Sequence, residues 1–265
     1  MIRTVRGAVR SLGDAMTTEI HASTPSFSDR VAKFLDRVDI RRADTDEDRE
    51  AVFRLRYDAY LREGAITPGL SKRVTDRFDD MANAWIFGVH LDGKLVSSLR
   101  LNVSLDICPD LPALQVFSDV LAERIEAGET IVDPTRFVAD AASSRLYPEL
   151  PYMTLRLGWV ATQYFEADLV LAAVRAEHQA FYKRVFGHRP VCAPRPYPNL
   201  EKPISLMALD PRAAREQVHR RYPFFRSTFF ERRMLFERPM PPRHSADFLP
   251  LMTIGAAHDA LVAAG

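Results

Sequence analysis

Apolar positions along this chain change their spacing several times, and each change predicts an element. Val31, Phe34, Leu35 and Val38 share one helical face, which predicts a short helix over 29–37 behind a weakly periodic leader with a Ser/Thr/Pro cluster at 23–28. A strand over 38–42 should follow, then a helix over 45–61 with Asp44 as its cap, acidic residues in its first turn, and Val52, Leu55, Ala59 and Tyr60 facing inward. Gly64, Pro68 and Gly69 break the pattern into a loop. The clearest signal is a hairpin: runs at 84–91 and 94–103 flank Asp92-Gly93, a pair suited to a tight turn. A helix over 116–127 closed by Gly128 leads to a strand over 130–138, and Pro151 opens a helix reaching about 165. A buried strand at 169–174, a helix at 178–186 closed by Gly187 and a late strand at 204–209 complete the pattern. Helices, an antiparallel meander and then alternating strands and helices predict an α+β domain with a mixed central sheet, without internal repeats. The expected division is a leader with a short helix over 1–37, the main domain over 38–210, and a helical basic and aromatic extension over 211–265.

With 47% apolar residues in 265, the chain can bury a sizeable core. The longest apolar stretches, such as 169–174, are far shorter than a membrane span, and Arg and Gly interrupt 1–16 where a signal peptide would be apolar. Cys108 and Cys192 are single and widely spaced, so neither a zinc site nor a disulfide framework is expected, and a cytoplasmic setting is. The formal charge of +1 conceals an uneven distribution: nine arginines stand against Glu216, Glu231 and Glu237 between residues 212 and 243, interleaved with aromatics. That mixture suits an acidic partner, a carrier protein or a peripheral membrane surface, and equally a solvated helix with a buried aromatic face. Acidic residues and prolines interrupt it, which argues against nucleic acid.

Several clusters carry candidate chemistry. In Asp133-Pro134-Thr135-Arg136-Phe137 the strand period places Asp133 and Thr135 on one face and Arg136 on the other, unless a bulge near Pro134 re-aims the chain. A carboxylate at such a break can take a proton from an attacking amine, and the broken ladder frees a backbone N–H for a developing oxyanion. An Asp133–Arg136 ion pair would explain the same residues. In Asp76-Arg77-Phe78-Asp79-Asp80 the carboxylates could hold a substrate ammonium, a hard cation or the arginines at 54, 56 and 100, and ion pairing is favoured. Arg56 and Tyr60 are one helical turn apart, a geometry that can clamp a carboxylate beside an aromatic wall or simply pack. His178, at a helix start, could accept a proton as a neutral imidazole, and Tyr182 one turn later could donate one to a leaving thiolate; both could equally be packing residues. Serine-hydrolase, Walker, dinucleotide and zinc motifs are all missing from the sequence, which disfavours a covalent intermediate and a nucleotide cofactor.

Taken in order, these residues resemble the acyl-homoserine-lactone synthase branch of the acetyltransferase-like (GNAT-like) fold, and more closely the N-acyl amino acid synthases. Leu55-Arg56 with Tyr60 is similar to that branch's Leu-Arg and aromatic helix motif, and Asp76-Arg77-Phe78-Asp79 to its Asp-x-aromatic-Asp loop. Arg100-Leu101 is similar to its Arg-Leu strand motif, Asp133-x-x-Arg136-Phe137 to its acidic-x-x-Arg-Phe strand, and 178–190 to its late helix. The resemblance covers about residues 38–210. It implies transfer of an acyl group, carried as a thioester on the phosphopantetheine of acyl-carrier protein, to the amine of a small amino-acid acceptor, with no metal or further cofactor. Asp133 would be the base and Arg100 and Arg136 would organise the ion pairs. Arg56, Tyr60, Asp76 and Asp79 would line the acceptor side, with Phe78, Phe137, His178 and Tyr182 also in the substrate site. Residues 153–159 and 169–174 would wall an acyl tunnel between separating strands, or simply form core. Three positions depart from the pattern. Ile66 stands where the lactone synthases carry Trp, which weakens S-adenosylmethionine as acceptor. Asp133 is a methylene shorter than the usual Glu, which favours a bridging water. Ala141-Ala142-Ser143-Ser144-Arg145 replaces the Gly-rich pyrophosphate loop of acetyl-CoA enzymes. The alternatives are a lactone synthase, another acyltransferase of this fold, and a non-catalytic module that binds acyl-carrier protein or lipid.

Overall fold

The computed structural model describes residues 25–198 and 202–238; the expected leader before Pro25 and the extension after Arg238 lie outside the described residues. In chain order the elements are α1 (Phe27–Leu35), β1 (Val38–Arg42), α2 (Asp46–Arg62), a 3₁₀ turn (Arg77–Asp79), β2 (Ala84–Leu91), β3 (Lys94–Val103), α3 (Leu114–Glu126) and β4 (Ile131–Ala139). They continue with α4 (Ala141–Leu146), α5 (Leu150–Tyr164), β5 (Leu169–Val174), a 3₁₀ turn (Ala176–His178), α6 (Gln179–Val185), β6 (Arg189–Pro190), β7 (Ser205–Leu209), α7 (Pro211–Arg221), a 3₁₀ turn (Pro223–Phe225) and α8 (Phe229–Phe236).

The strands make one mixed sheet in the order β1-β2-β3-β4-β5-β7-β6. Neighbours are antiparallel except β4 and β5, which run parallel and pair only at Ile131 with Leu169 and Val132 with Val170. Beyond those pairs β5 stays on β7 as far as Val174, so the two central strands part at Asp133. The expected separation of strands therefore begins at the strand carboxylate. Residues Met153, Leu157 and Trp159, placed on an acyl tunnel wall in the sequence reading, sit in packed core.

Alternation sends one set of strand residues to each face. Trp85, Phe87, Leu99, Leu101 and Val132 meet α5 through Met153, Leu157 and Val160, and α1 through Val31 and Phe34. On the opposite face Val52 and Phe53 of α2 pack on Ile86, and Phe117 and Leu121 of α3 pack on Ile131, Leu171 and Leu206. Phe225 and Phe236 join the first core; the Trp85 indole donates to the Phe236 carbonyl at 3.1 Å, and buried Arg156 donates to the carbonyls of Phe224 and Arg226 at 2.7 Å each. The boundaries read at 37/38 and 210/211 thus cut through one continuous core.

Local differences from the sequence reading have identifiable causes. Thr45, not Asp44, caps α2, its hydroxyl accepting from Asp48 N–H at 3.1 Å, because Asp44 is held by Arg42 at 2.7 Å. α4 has six residues, too few to show a period, and starts because Asp140 accepts from Ser143 N–H at 2.9 Å. The helix expected over 178–186 divides, with His178 closing its own 3₁₀ turn.

Gly158 brings α5 close to the sheet: a Cβ there would lie 3.2 Å from Pro134 Cγ and 3.8 Å from Leu101 Cδ2. Gly158→Ala is therefore expected to be destabilising by about 1 to 3 kcal/mol, crowding outweighing the helix gain of about 1 kcal/mol, and a fall in thermal midpoint would register it.

Candidate functional site

The sheet face beneath α2 and α3 carries a polar strip between their apolar contacts. Register places Arg100 opposite Thr135 and Asn102 opposite Asp133, so these four side chains share that face with Ile86 and Ile131. Plain alternation would send Arg136 to the α5 side. Between Ser98–Val138 and Arg100–Thr135 the register shifts by one residue on β4, and Arg136 takes a φ of 55°, a left-handed conformation that costs a non-glycine residue about 1 to 3 kcal/mol. The bulge expected near Pro134 thus lies two residues on, and it turns the guanidinium of Arg136 back to α2.

There Arg136 donates to Asp76 from Nε at 3.1 Å and from Nη2 at 2.5 Å, and its Nη1 reaches the Tyr60 hydroxyl at 3.4 Å. Arg100 Nη1 bridges Asp76 at 2.5 Å and Asp79 at 3.0 Å, while its Nε donates to Thr135 Oγ1 at 3.0 Å. Arg56 Nη1 donates to Asp79 Oδ1 at 2.8 Å from a completely buried position, leaving its Nε and Nη2 without partners. Asp79 is placed by the 3₁₀ turn, where its Oδ2 accepts from the Asp76 N–H at 2.9 Å. Burial acts to raise the Asp76 carboxyl, but Arg100 and Arg136 outweigh it and hold it at about 2. Phe78 is buried with the Arg77 and Arg100 guanidiniums 4.2 and 5.7 Å from its ring centre. Ion pairing, the favoured reading of the aspartate loop, is the arrangement present.

Asp133 is separate from that network. No ion pair joins it to Arg136 among the described residues; its Oδ2 accepts from the Ala113 N–H at 2.9 Å, at the start of α3, and its Oδ1 has no partner. Burial raises its carboxyl to about 6, against the opposing influences of the Ala113 N–H and the Arg100 charge. A buried carboxylate with one oxygen free, beside an arginine and at the point where β4 leaves β5, has the attributes of a proton acceptor.

Tyr197, which the sequence reading passed over, donates to the Pro112 carbonyl at 3.1 Å; burial and then the Asp133 charge push its phenol up to about 12. Its Pro-rich surroundings carry no period that would have marked it. Thr135 was placed on the Asp133 face but not in the site, and its hydroxyl is what orients Arg100. Other expected members lie elsewhere. Half-buried Phe137 packs against the α5-side core. His178 is exposed, with Nε2 3.1 Å from Arg175 Nη2, and Arg175 is paired with Glu63. Tyr182 packs on Phe181, Phe186 and His188, and burial raises its phenol well above the ordinary range. Neither hydrogen bonds nor ion pairs connect His178 or Tyr182 to the aspartate–arginine network among the described residues, because α6 follows the far strand of the gap.

A family model described as N-acyl amino acid synthase FeeM matches residues 51–210. Among solved structures, FeeM, an N-acyl amino acid synthase from uncultured soil microbes, aligns with a TM-score of 0.57 at 19% identity, covering 68% of this chain and 94% of that one. BjaI, a CoA-dependent acyl-homoserine lactone synthase, aligns with a TM-score of 0.51 at 16% identity, covering 70% of this chain and 89% of that one. No curated protein matches the chain. The fold is GNAT-like, as the mixed seven-stranded sheet flanked by helices had indicated. Because the matched segment includes most of α2, the aspartate turn, the bulged strand and both sides of the gap, this chain belongs to the FeeM family of N-acyl amino acid synthases and is an N-acyltransferase.

Proposed function

We propose that the chain transfers a fatty acyl group from the thioester of acyl-carrier protein to the amine of an amino acid, giving an N-acyl amino acid. The observation that carries this reading is the uneven network: three arginines, Arg56, Arg100 and Arg136, share the two carboxylates of Asp76 and Asp79, which leaves one positive charge in excess. Arg136 and Asp76 form the solvent-facing edge of that network, their side chains 23 and 24% exposed, and an acceptor bringing its own carboxylate would meet the Arg136 guanidinium there. The amine would attack the thioester carbon while Asp133 takes the ammonium proton, directly or through one water. The C–N bond forms, the C–S bond breaks, and the departing thiolate takes the second proton given up by the attacking nitrogen, so that the thiol, the amide and a protonated Asp133 result. No further cofactor is invoked.

Carrier protein is favoured over coenzyme A as donor because the helix start after β4 is already taken. Asp140 accepts from the N–H and hydroxyl of Ser143 at 2.9 and 2.7 Å, placing a carboxylate where a pyrophosphate would seek backbone N–H groups. Purified protein supplied with acyl-carrier protein or acyl-CoA thioesters and single amino acids should yield an amide by mass spectrometry, with the carrier protein as the better donor. A lactone from S-adenosylmethionine, or no amide from any pairing, would reject the proposal. A decarboxylated amine analogue of the preferred acceptor is expected to lose roughly 10²- to 10³-fold in kcat/KM, the cost of leaving one partner of a buried charge pair alone.

A further inference from the structure

The family match ends at residue 210, and the segment beyond it contains a surface that the reaction does not use. α8 buries Phe236, yet Phe229, Phe230 and Met234 are 67, 72 and 68% exposed. Phe230 and Met234 are one turn apart, and so are Phe229 and Arg233, whose guanidinium lies 5.7 Å from the Phe229 ring centre. These four side chains form a projecting ridge instead of a groove.

Charge around the ridge is mostly positive. The described residues 211–238 hold eight arginines and three glutamates; Arg156 takes Glu231 and Arg233 takes Glu237. Arg215 and Arg226 are exposed and make no ion pair among the described residues. Arg226 precedes Phe229 by three residues, so cation and ridge are within roughly 11 Å along the chain. His219, between Arg215 and Arg226, adds no negative charge: its Nε2 accepts from the Trp159 indole at 3.0 Å, and burial and then Arg226 and Arg215 lower its pKa.

We propose that α8 and the arginines before it dock on an anionic bilayer surface, with Phe229, Phe230 and Met234 entering the headgroup boundary. A bilayer presents negative headgroups above acyl chains, and that layering complements exposed arginines flanking a protruding apolar ridge. A protein partner would need an apolar groove lined with acid to fit the same shape. The surface belongs to the described C-terminal helices and is independent of the acceptor.

Full-length protein is sedimented with vesicles of phosphatidylcholine alone or mixed with phosphatidylglycerol. Association with the mixed vesicles only, released by salt, is expected. Phe229→Ser with Phe230→Ser should weaken partitioning by roughly 10²-fold through lost apolar burial, and Arg215→Glu with Arg226→Glu by a similar factor through lost attraction. Amide formation from water-soluble substrates should stay within about twofold in both variants, so failure of docking and failure of the proposed reaction read out separately. Four results would overturn the inference: no vesicle association, equal association with neutral vesicles, variants that bind as the parent does, or a ridge whose loss abolishes only self-association or carrier-protein binding.

Discussion

Asp133→Asn is expected to lower turnover by roughly 10²- to 10⁴-fold, the usual worth of a general base, while the protein stays folded. Retained folding follows from linkage. The carboxyl is raised in the folded state from 3.8 to about 6, so the native protein binds the extra proton between those values and loses stability as pH climbs through them. Above pH 6 the buried anion therefore costs about 3 kcal/mol, from the difference of roughly two pKa units, and the neutral amide escapes that cost. Its oxygen can still accept the Ala113 N–H, although its NH₂ inherits the unpartnered position. Thermal midpoints at neutral pH should be equal or higher in the variant. In the parent, kcat/KM should rise with pH through about 6 and then level, and the variant should lack that limb. A parent profile flat down to pH 5, or an active variant, would remove Asp133 from the chemistry.

Asp79→Ala should instead cost stability, about 3 to 5 kcal/mol, because it strands two guanidiniums that water cannot reach. Arg56 loses its hydrogen-bonded partner, Arg100 keeps Thr135 and, of its two carboxylates, only Asp76, and the Asp76 N–H loses the acceptor that forms the 3₁₀ turn. At about 2 to 4 °C per kcal/mol for a chain of this size, the thermal midpoint should fall by about 10 °C. The paired variant Asp79→Ala with Arg56→Met should recover part of the loss, since the guanidinium with two unpartnered nitrogens is then gone. A single variant that melts with the parent would show that the network is not closed to solvent in solution.

The hairpin and the strands at 38–42 and 169–174 were legible because alternation, β-branched residues and Asp92-Gly93 are local signals that tertiary packing reinforced. Arg100, Arg56, Asp76 and Asp79 were found as a series, and the structure brings them together. Arg136 was harder: its orientation depends on a one-residue register shift and a positive φ, and an arginine in the sequence announces neither. Ala113 enters through a backbone N–H, which no residue identity encodes. The segment 211–238 was legible only as two open readings; Phe225 and Phe236 are core, as the buried aromatic face requires, while Phe229 and Phe230 face outward.

Since β4 and β5 share two residue pairs, the sheet amounts to a four-stranded half and a three-stranded half, with α5 packed across β3, β4 and β5. A seam of that kind lets the halves tilt without dismantling a ladder, the clasp being side-chain packing rather than main-chain bonding. The width of the opening beside Asp133 then depends on how α5 is seated, and variation along one helix would alter it while the ionic machinery on the other side of the sheet stays unchanged.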